Sequence, residues 1–535
     1  PVDGDPFLNL TFAGGVNLNT FNNIPPTSGG TNIDSIVFDA TAGSFTLSSG
    51  GTSSLDMLGL STNNSDSSHI INNSSNSQTI NLNLIIRDDF TNAMTVDTAA
   101  GNITINGVIS SGGTAALIKE GTHTLTLTGN NSFTSDTIIN SGTLQLTGSS
   151  DLGTGDVIVN NTGTLRIATT TGSISDASNV TINAGGTFQM DEPAEYINGL
   201  NGSGSVTRTV AGTGVLRVGE GNGSGTFSGV IDDGAGTIQF EKSGTGTQTL
   251  SGGNTYTGAT NVLGGVLNIN QVGPGSNNAN VGGGANTQLT TSALNVSSGA
   301  VANLNTGGNF SSSNTGTTLS GDGTIRLSSG TWWLGNAGSG TTVAMSPGGL
   351  IDVQGGTLKN DYANANWAAN QASLNVAGGA NFNLRNNDVF VDALTGAGNV
   401  FNDFSSKTLT VGVANGSGTF TGTIGPGGAN MSLVKTGTGT QTLSGNNTYV
   451  GGTTINGGVL RAGSSTALGA ANGSLLVNAA GTLDVNGQNL TVGGFNGSGI
   501  VDNTAVGPAS LSVSGGTFSG TIQDTGGPLA LTKIG

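Results

Sequence analysis

Thr124-Leu125-Thr126-Leu127-Thr128 alternates polar and apolar side chains, and so do Thr143-Leu144-Gln145-Leu146 and Val266-Leu267-Asn268-Ile269. A period of two built from Thr, Val, Leu and Ile predicts short strands with one face buried. Turn-formers such as Ser444-Gly445-Asn446-Asn447 and Asn456-Gly457-Gly458 separate the runs, because Gly and Asn reach positive φ cheaply and reverse a chain. A unit of several short strands with no helical face cannot close its own core and must stack on its neighbours. Strands that wind onto themselves do this as a parallel β-helix, with coils about 4.8 Å apart.

The same order of strands and turns recurs. Leu117–Leu146 reads LIKEGTHTLTLTGNNSFTSDTIINSGTLQL, Ile238–Ile269 reads IQFEKSGTGTQTLSGGNTYTGATNVLGGVLNI, and Leu433–Gly463 reads LVKTGTGTQTLSGNNTYVGGTTINGGVLRAG. Counted from Lys119, Lys242 and Lys435, an Asn stands at +12, an aromatic at +14, a branched aliphatic at +20 and a Gly at +23. Self-similarity of this length marks a solenoid. Thr-Phe-Ser/Thr-Gly phrases at Phe227, Phe420 and Phe518 precede Lys242, Lys435 and Lys533 by 15 residues each. The last places a truncated fourth copy at 529–535. The Lys spacing implies a module of about a hundred residues with a degenerate copy near Gly335. At about 20 to 25 residues per coil the chain would make about 22 to 26 coils.

The stretch GTGTQTLSGNNTYVGGTTINGGVL (437–460) resembles the passenger-associated transport repeat, or autotransporter-associated β-strand repeat, of secreted bacterial surface proteins. The resemblance covers three copies and a fourth start, about a fifth to a quarter of the residues. It implies a right-handed β-helix, secretion by a bacterium, and adhesion or surface display. It transfers no catalytic residue. The fold expected is therefore all-β, a single long right-handed parallel β-helix (β-solenoid). Residues 1–100 would form atypical N-terminal capping coils, with Ser61–Gln78 as a wide polar loop, and 101–535 the regular helix. A cap is needed because an open strand edge invites pairing with other chains.

Composition narrows the partners. Glycine makes up 95 of 535 residues without a three-residue period, and charged residues are only 8%, which sets aside both collagen and a disordered polyelectrolyte. The net charge of −17 repels phosphate backbones and anionic lipid, so neither nucleic acid nor membrane insertion is expected. The chain has no cysteine, consistent with export in an unfolded form, where premature disulfides would obstruct passage. No apolar run reaches the length of a membrane span, no basic n-region opens the chain, and Pro1-Val2-Asp3 reads as a processed or trimmed start. The location expected is extracellular or at the cell surface.

Candidate chemistry is sparse. The acidic groups are Asp88-Asp89 beside Arg87, Asp232-Asp233, and Asp191, Glu192 and Glu195. Two carboxylates at suitable separation run glycoside hydrolysis, yet all three groups lie in Gly- or Pro-flanked, turn-like places and read as solvated turns. His69 and His123 lack the neighbours of a zinc site. No cofactor is expected, and structural calcium is left open at no nameable position. Lys119, Lys242, Lys435 and Lys533 read as solvated outward residues. All three tryptophans, Trp332, Trp333 and Trp367, fall in the degenerate module with Tyr362 close by. They form the candidate binding site, since an exposed Trp stacks on sugar rings or on another chain. Adjacent Trp332 and Trp333 must point to opposite faces of a strand.

The function expected is a non-enzymatic structural or adhesive solenoid: a surface stalk, matrix fibre or filament. Its partners would be surface glycans or a second copy of the chain, head to tail. The alternatives are a carbohydrate- or host-surface-binding adhesin passenger and, last, a polysaccharide-degrading β-helix enzyme.

Overall fold

The computed structural model describes residues 8–15, 19–22, 31–49, 54–57, 68–86, 93–111, 115–169, 173–270, 288–289, 291–312, 316–335, 340–360 and 365–535. Asp88, Asp89, Arg87 and Tyr362 lie outside these residues. The chain divides into two compact units, Pro1–Gly258 and Ala259–Gly535, each described by itself.

Among the described residues every named element is a β-strand, and the strands pair in parallel as the coils of a β-solenoid. In the first unit one inward column runs Ile103, Leu125, Leu144, Leu165, Phe188, Val206 and Ile231, each paired in register with the next. All seven are buried. In the second, Val389, Leu409, Leu433, Thr453, Leu475 and Phe495 do the same. Each aliphatic in such a column contributes about 1.5–3 kcal/mol by leaving water. The alternation read from the sequence thus becomes a continuous interior, and a one-residue slip would turn every column outward.

Among the described residues the turns number about 19, against the roughly 22 to 26 coils the sequence spacing implies. Coil-to-coil hydrogen bonds join residues 18 to 25 apart over much of the chain. Insertions stretch the step to 33 between Ser48 and Asn81, and to 34 and 35 at Asn261–Asn295 and Asn268–Asn303. The expected wide loop is also partly a coil. Ser68–Asn72 is a strand paired with Thr31–Phe38, and Asn72, Ser74 and Gln78 are buried. They bond backbone groups there, including the Ala42 and Gly43 carbonyls.

The recurrent Ser-Gly and Phe-Ser/Thr-Gly phrases mark a corner where coils touch backbone to backbone. A Cβ on Gly229 would lie 1.9 Å from the Gly204 carbonyl oxygen, and one on Gly252 would lie 1.7 Å from that of Gly229. Gly422 and Gly445 repeat the arrangement against Gly398 and Gly422 at 1.9 and 1.6 Å. No side chain fits there, so glycine is dictated by the approach rather than by φ.

On the outside, asparagines form ladders. Asn140 Nδ2 donates to Glu120, Asn160 to Asn140 and Asn183 to Asn160, at 2.5–2.7 Å. Asn131, Asn254 and Asn447 face inward. Their Oδ1 atoms accept from the backbone N–H of Ile109, Ile231 and Ile424, a coil earlier. Asn131 and Asn447 also donate one coil onward, to Asp151 O and Ala467 O.

Candidate functional site

The strand containing Leu117–Glu120 buries Leu117 and Lys119 and leaves Ile118 and Glu120 partly exposed. Lys119 is therefore an interior residue, contrary to the outward placement expected, and Lys242 and Lys435 are buried in the same way. The parity of the strand forces this: a residue two beyond an inward Leu is itself inward. What makes it tolerable is a cradle of backbone carbonyls. Lys119 Nζ donates to Glu120 O, Gly121 O and Ser141 O at 2.6, 2.9 and 3.0 Å. Lys435 Nζ donates to Thr436 O, Gly437 O and Gly457 O at 2.6, 3.4 and 3.2 Å. Lys242 Nζ bonds Ser243 O and Gly244 O. Each ammonium closes the turn that follows its own strand, and in the first and last copies it ties that turn to the next coil. Burial pushes Lys119 and Lys435 down to about 8 and lowers Lys242. Lys533, on the last strand, is exposed and donates to Ile534 O and Gly535 O, the two carbonyls that follow it.

The acidic groups separate into two kinds. Asp232 and Asp233 are turn residues: Asp232 accepts from Gly234 N, and Asp233 from Ile238 N and Thr257 N, at 2.7–2.9 Å. Glu192 and Glu195 correct the solvated-turn expectation, since both are fully buried. They continue the inward parity of Phe188 and Met190 on one side and Ile197 on the other. Glu192 Oε2 accepts from Thr169 Oγ1 at 3.1 Å, and Glu195 accepts from the N–H groups of Ser173 and Ile174, both at 3.1 Å. Burial, then the neighbouring carboxyl, raises Glu192 well above the ordinary range; burial likewise raises Glu195. Two neighbouring buried carboxyls disfavour ionising together. Arg208, also buried, donates from Nη1 to Met190 O and Glu192 O at 3.0 and 2.5 Å. Asp191 points the other way and accepts from Arg166 Nε at 2.9 Å.

A cleft of about 410 Å³ is lined by Asn131, Asp151, Ser173, Ile174 and Asp176 among others. Ser173 and Ile174 are also the residues whose N–H groups hold Glu195, so the acid pair lies behind the cleft wall and does not face a substrate. His123 is exposed, with Nδ1 3.1 Å from Thr98 O. Among the described residues no three His, Asp or Glu side chains gather as a metal site, and no helix is long and apolar enough to cross a membrane.

The tryptophans divide. Trp332 and Trp367 are each 1% exposed. Trp332 stands in register with Leu358, which in turn faces Phe382. Trp367 packs edge-on against Phe382 at 5.7 Å and donates from Nε1 to Asn360 Oδ1 at 3.1 Å. Both are core residues with no face for a ligand. Trp333, on the opposite face of the strand, is half-buried, with Lys359 Nζ 4.4 Å from its ring centre. Sequence reasoning placed neither Lys359 nor Arg385 at this surface.

The family described as Passenger-associated-transport-repeat matches residues 117–146, 240–269 and 433–462, the same three stretches that carry the buried lysines. The Adhesin BmaC autotransporter of Brucella suis biovar 1 (strain 1330) is 29% identical over 560 residues, covering 82% of this chain. The chain spans about 15% of that relative's length. No solved structure shows a significant match.

Proposed function

From a chain that carries three passenger-associated transport repeats, we propose a non-enzymatic, adhesin-like segment of a bacterial surface or secreted autotransporter passenger. The single observation that supports this most is the coincidence of the repeat with a rigid coil. The motif's Lys, Asn and Gly residues are spent on holding turns together, which leaves the outer face free to vary and to bind. The chain has no cysteine, so a displayed form stands without disulfides, and the stacked coils hold it through parallel ladders and buried columns. The inaccessible position of Glu192 and Glu195 favours this reading over a polysaccharide-cleaving enzyme.

The match to an adhesin supports adhesion over a purely structural stalk or fibre. The test is adherence of the purified chain to host cells and to immobilised extracellular matrix. Saturable binding above that of an unrelated acidic protein supports the reading; background binding on every surface overturns it.

A further inference from the structure

We propose that Trp333, Lys359, Arg385 and Phe404 form a docking surface for an acidic polysaccharide, a sugar polymer carrying carboxylate or sulfate groups. The inference rests on the adhesive reading above and adds the chemistry of the ligand.

Parallel register brings these residues together from successive coils. Trp333 stands opposite Lys359, and Lys359 opposite Asn383, two residues before Arg385. Asn383 in turn faces Phe401 on the strand that leads to Phe404. Lys359 Nζ lies 4.4 Å from the Trp333 ring centre. Arg385 Cζ lies 5.8 Å from that ring and 5.6 Å from the Phe404 ring. The guanidinium is thus flanked by two aromatics, and Phe404 is 64% exposed. Phe404 thus presents an exposed apolar ring beside a cation.

The charge pattern selects an anion. Elsewhere, Lys119, Lys242, Lys435 and Arg208 are interior. Arg166, Arg217, Arg326 and Arg461 sit on carboxylates at 2.7–2.9 Å. Here two cations share one surface, with Asp403 at 3.6 Å from Arg385. The net charge of −17 is spread along the chain, and charges beyond about 8 Å are screened at physiological salt. Among the described residues two cations thus face one carboxylate at this surface.

Sugar chemistry fits the rest. The rings hold both cations by cation–π contact, so less side-chain freedom is lost on binding. The Arg fork matches a carboxylate or sulfate bidentately. Exposed ring surface covers the C–H face of a sugar. Coils about 4.8 Å apart set the charges along a line that a polymer with repeated anionic groups follows. An acidic peptide offers the charges without the flat sugar face.

The full chain is passed over immobilised heparin (sulfated), polygalacturonate (carboxylated), neutral dextran and polyglutamate. Retention on heparin, polygalacturonate or both is expected, weakening with salt, with none on dextran and less on polyglutamate. Heparin alone identifies sulfate, and polygalacturonate alone identifies uronate. The Lys359→Gln/Arg385→Gln variant loses about tenfold or more in affinity. Phe404→Ala weakens binding with unchanged circular dichroism, and Asp403→Asn tightens it. Absence of retention on both acidic polysaccharides overturns the proposal. So does equal binding by the double variant, or polyglutamate binding as tight as polysaccharide binding. Host-cell adherence is measured in parallel. Adherence without polysaccharide retention overturns this inference alone, whereas loss of adherence with retention intact overturns the adhesive reading.

Discussion

Gln441 reaches past an entire coil to hold Leu394. Its Oε1 accepts from Leu394 N at 3.0 Å and its Nε2 donates to Leu394 O at 2.9 Å, across 47 residues of sequence. Gly418 stands in the intervening coil, and a Cβ on it would lie 3.1 Å from the Gln441 oxygen. Gln248 makes the same pair of bonds to Leu200, at 3.2 and 2.9 Å, across Gly225. Both glutamines are buried. The repeat's Thr-Gln-Thr-Leu therefore clips together three coils, not two.

Gln441→Ala leaves the Leu394 N–H and C=O unpaired in a dry interior, at about 1–3 kcal/mol for each group. Because a solenoid opens locally, the effect is expected as faster amide exchange at Leu394, with Val389–Val391 and the far end of the chain unchanged. Exchange at Leu394 equal to wild type would show that the side chain is not the partner.

Lys435 should give its coils a distinctive pH response. Its value in the folded chain is about 8 against an ordinary 10.5, so between those two values the unfolded chain binds more protons. Stability from this group is complete above about 10.5 and is lost as pH falls through about 8. Urea midpoints of wild type and Lys435→Met, compared at pH 7.5 and pH 10, should show wild type gaining on the variant as pH rises. A constant gap would place the ammonium in water.

Glu192 has the opposite sign. Its folded-state value is raised from an ordinary 4.5, so its stabilising contribution is complete below about 4.5 and declines as pH rises through the folded-state value. Glu192→Gln keeps a neutral side chain at every pH. The variant should be more stable than wild type at pH 8, with the difference closing towards pH 4. A variant less stable than wild type at pH 8 would mean that a charged Glu192 is needed.

The two adjacent tryptophans separate core from surface. Trp332→Ala removes a buried side chain and should cost about 3–5 kcal/mol, whereas Trp333→Ala should cost far less and weaken polysaccharide retention. Urea denaturation of both variants checks the first claim. Equal losses would put both rings in the core.

Much of this was legible in the sequence. Alternation at Thr124–Thr128 and Thr143–Leu146 gave strands, and their recurrence required stacking. The same alternation, followed two residues further, already places Lys119 beside Leu117 and Glu192 beside Met190 on the inner face. Reading charge as exposure hid that. A lysine is expensive inside only when its ammonium lacks acceptors, and here the turn's own carbonyls supply them. The Gln441–Leu394 clip and the approach of Arg385 to Trp333 were not legible. They join residues whose proximity depends on how many amino acids each coil consumes, a length that runs from 18 to 35 between bonded neighbours.

The most direct test of this register uses a chain that has no cysteine of its own. Thr419 and Thr442 are in-register partners on neighbouring coils, at the Cα separation of about 5 Å that a disulfide accepts. Thr419→Cys/Thr442→Cys should cross-link readily under mild oxidation, and Thr419→Cys/Thr440→Cys, two residues out of step, should not. Efficient cross-linking of the second pair in preference to the first would contradict the parallel coil register on which the binding surface is built.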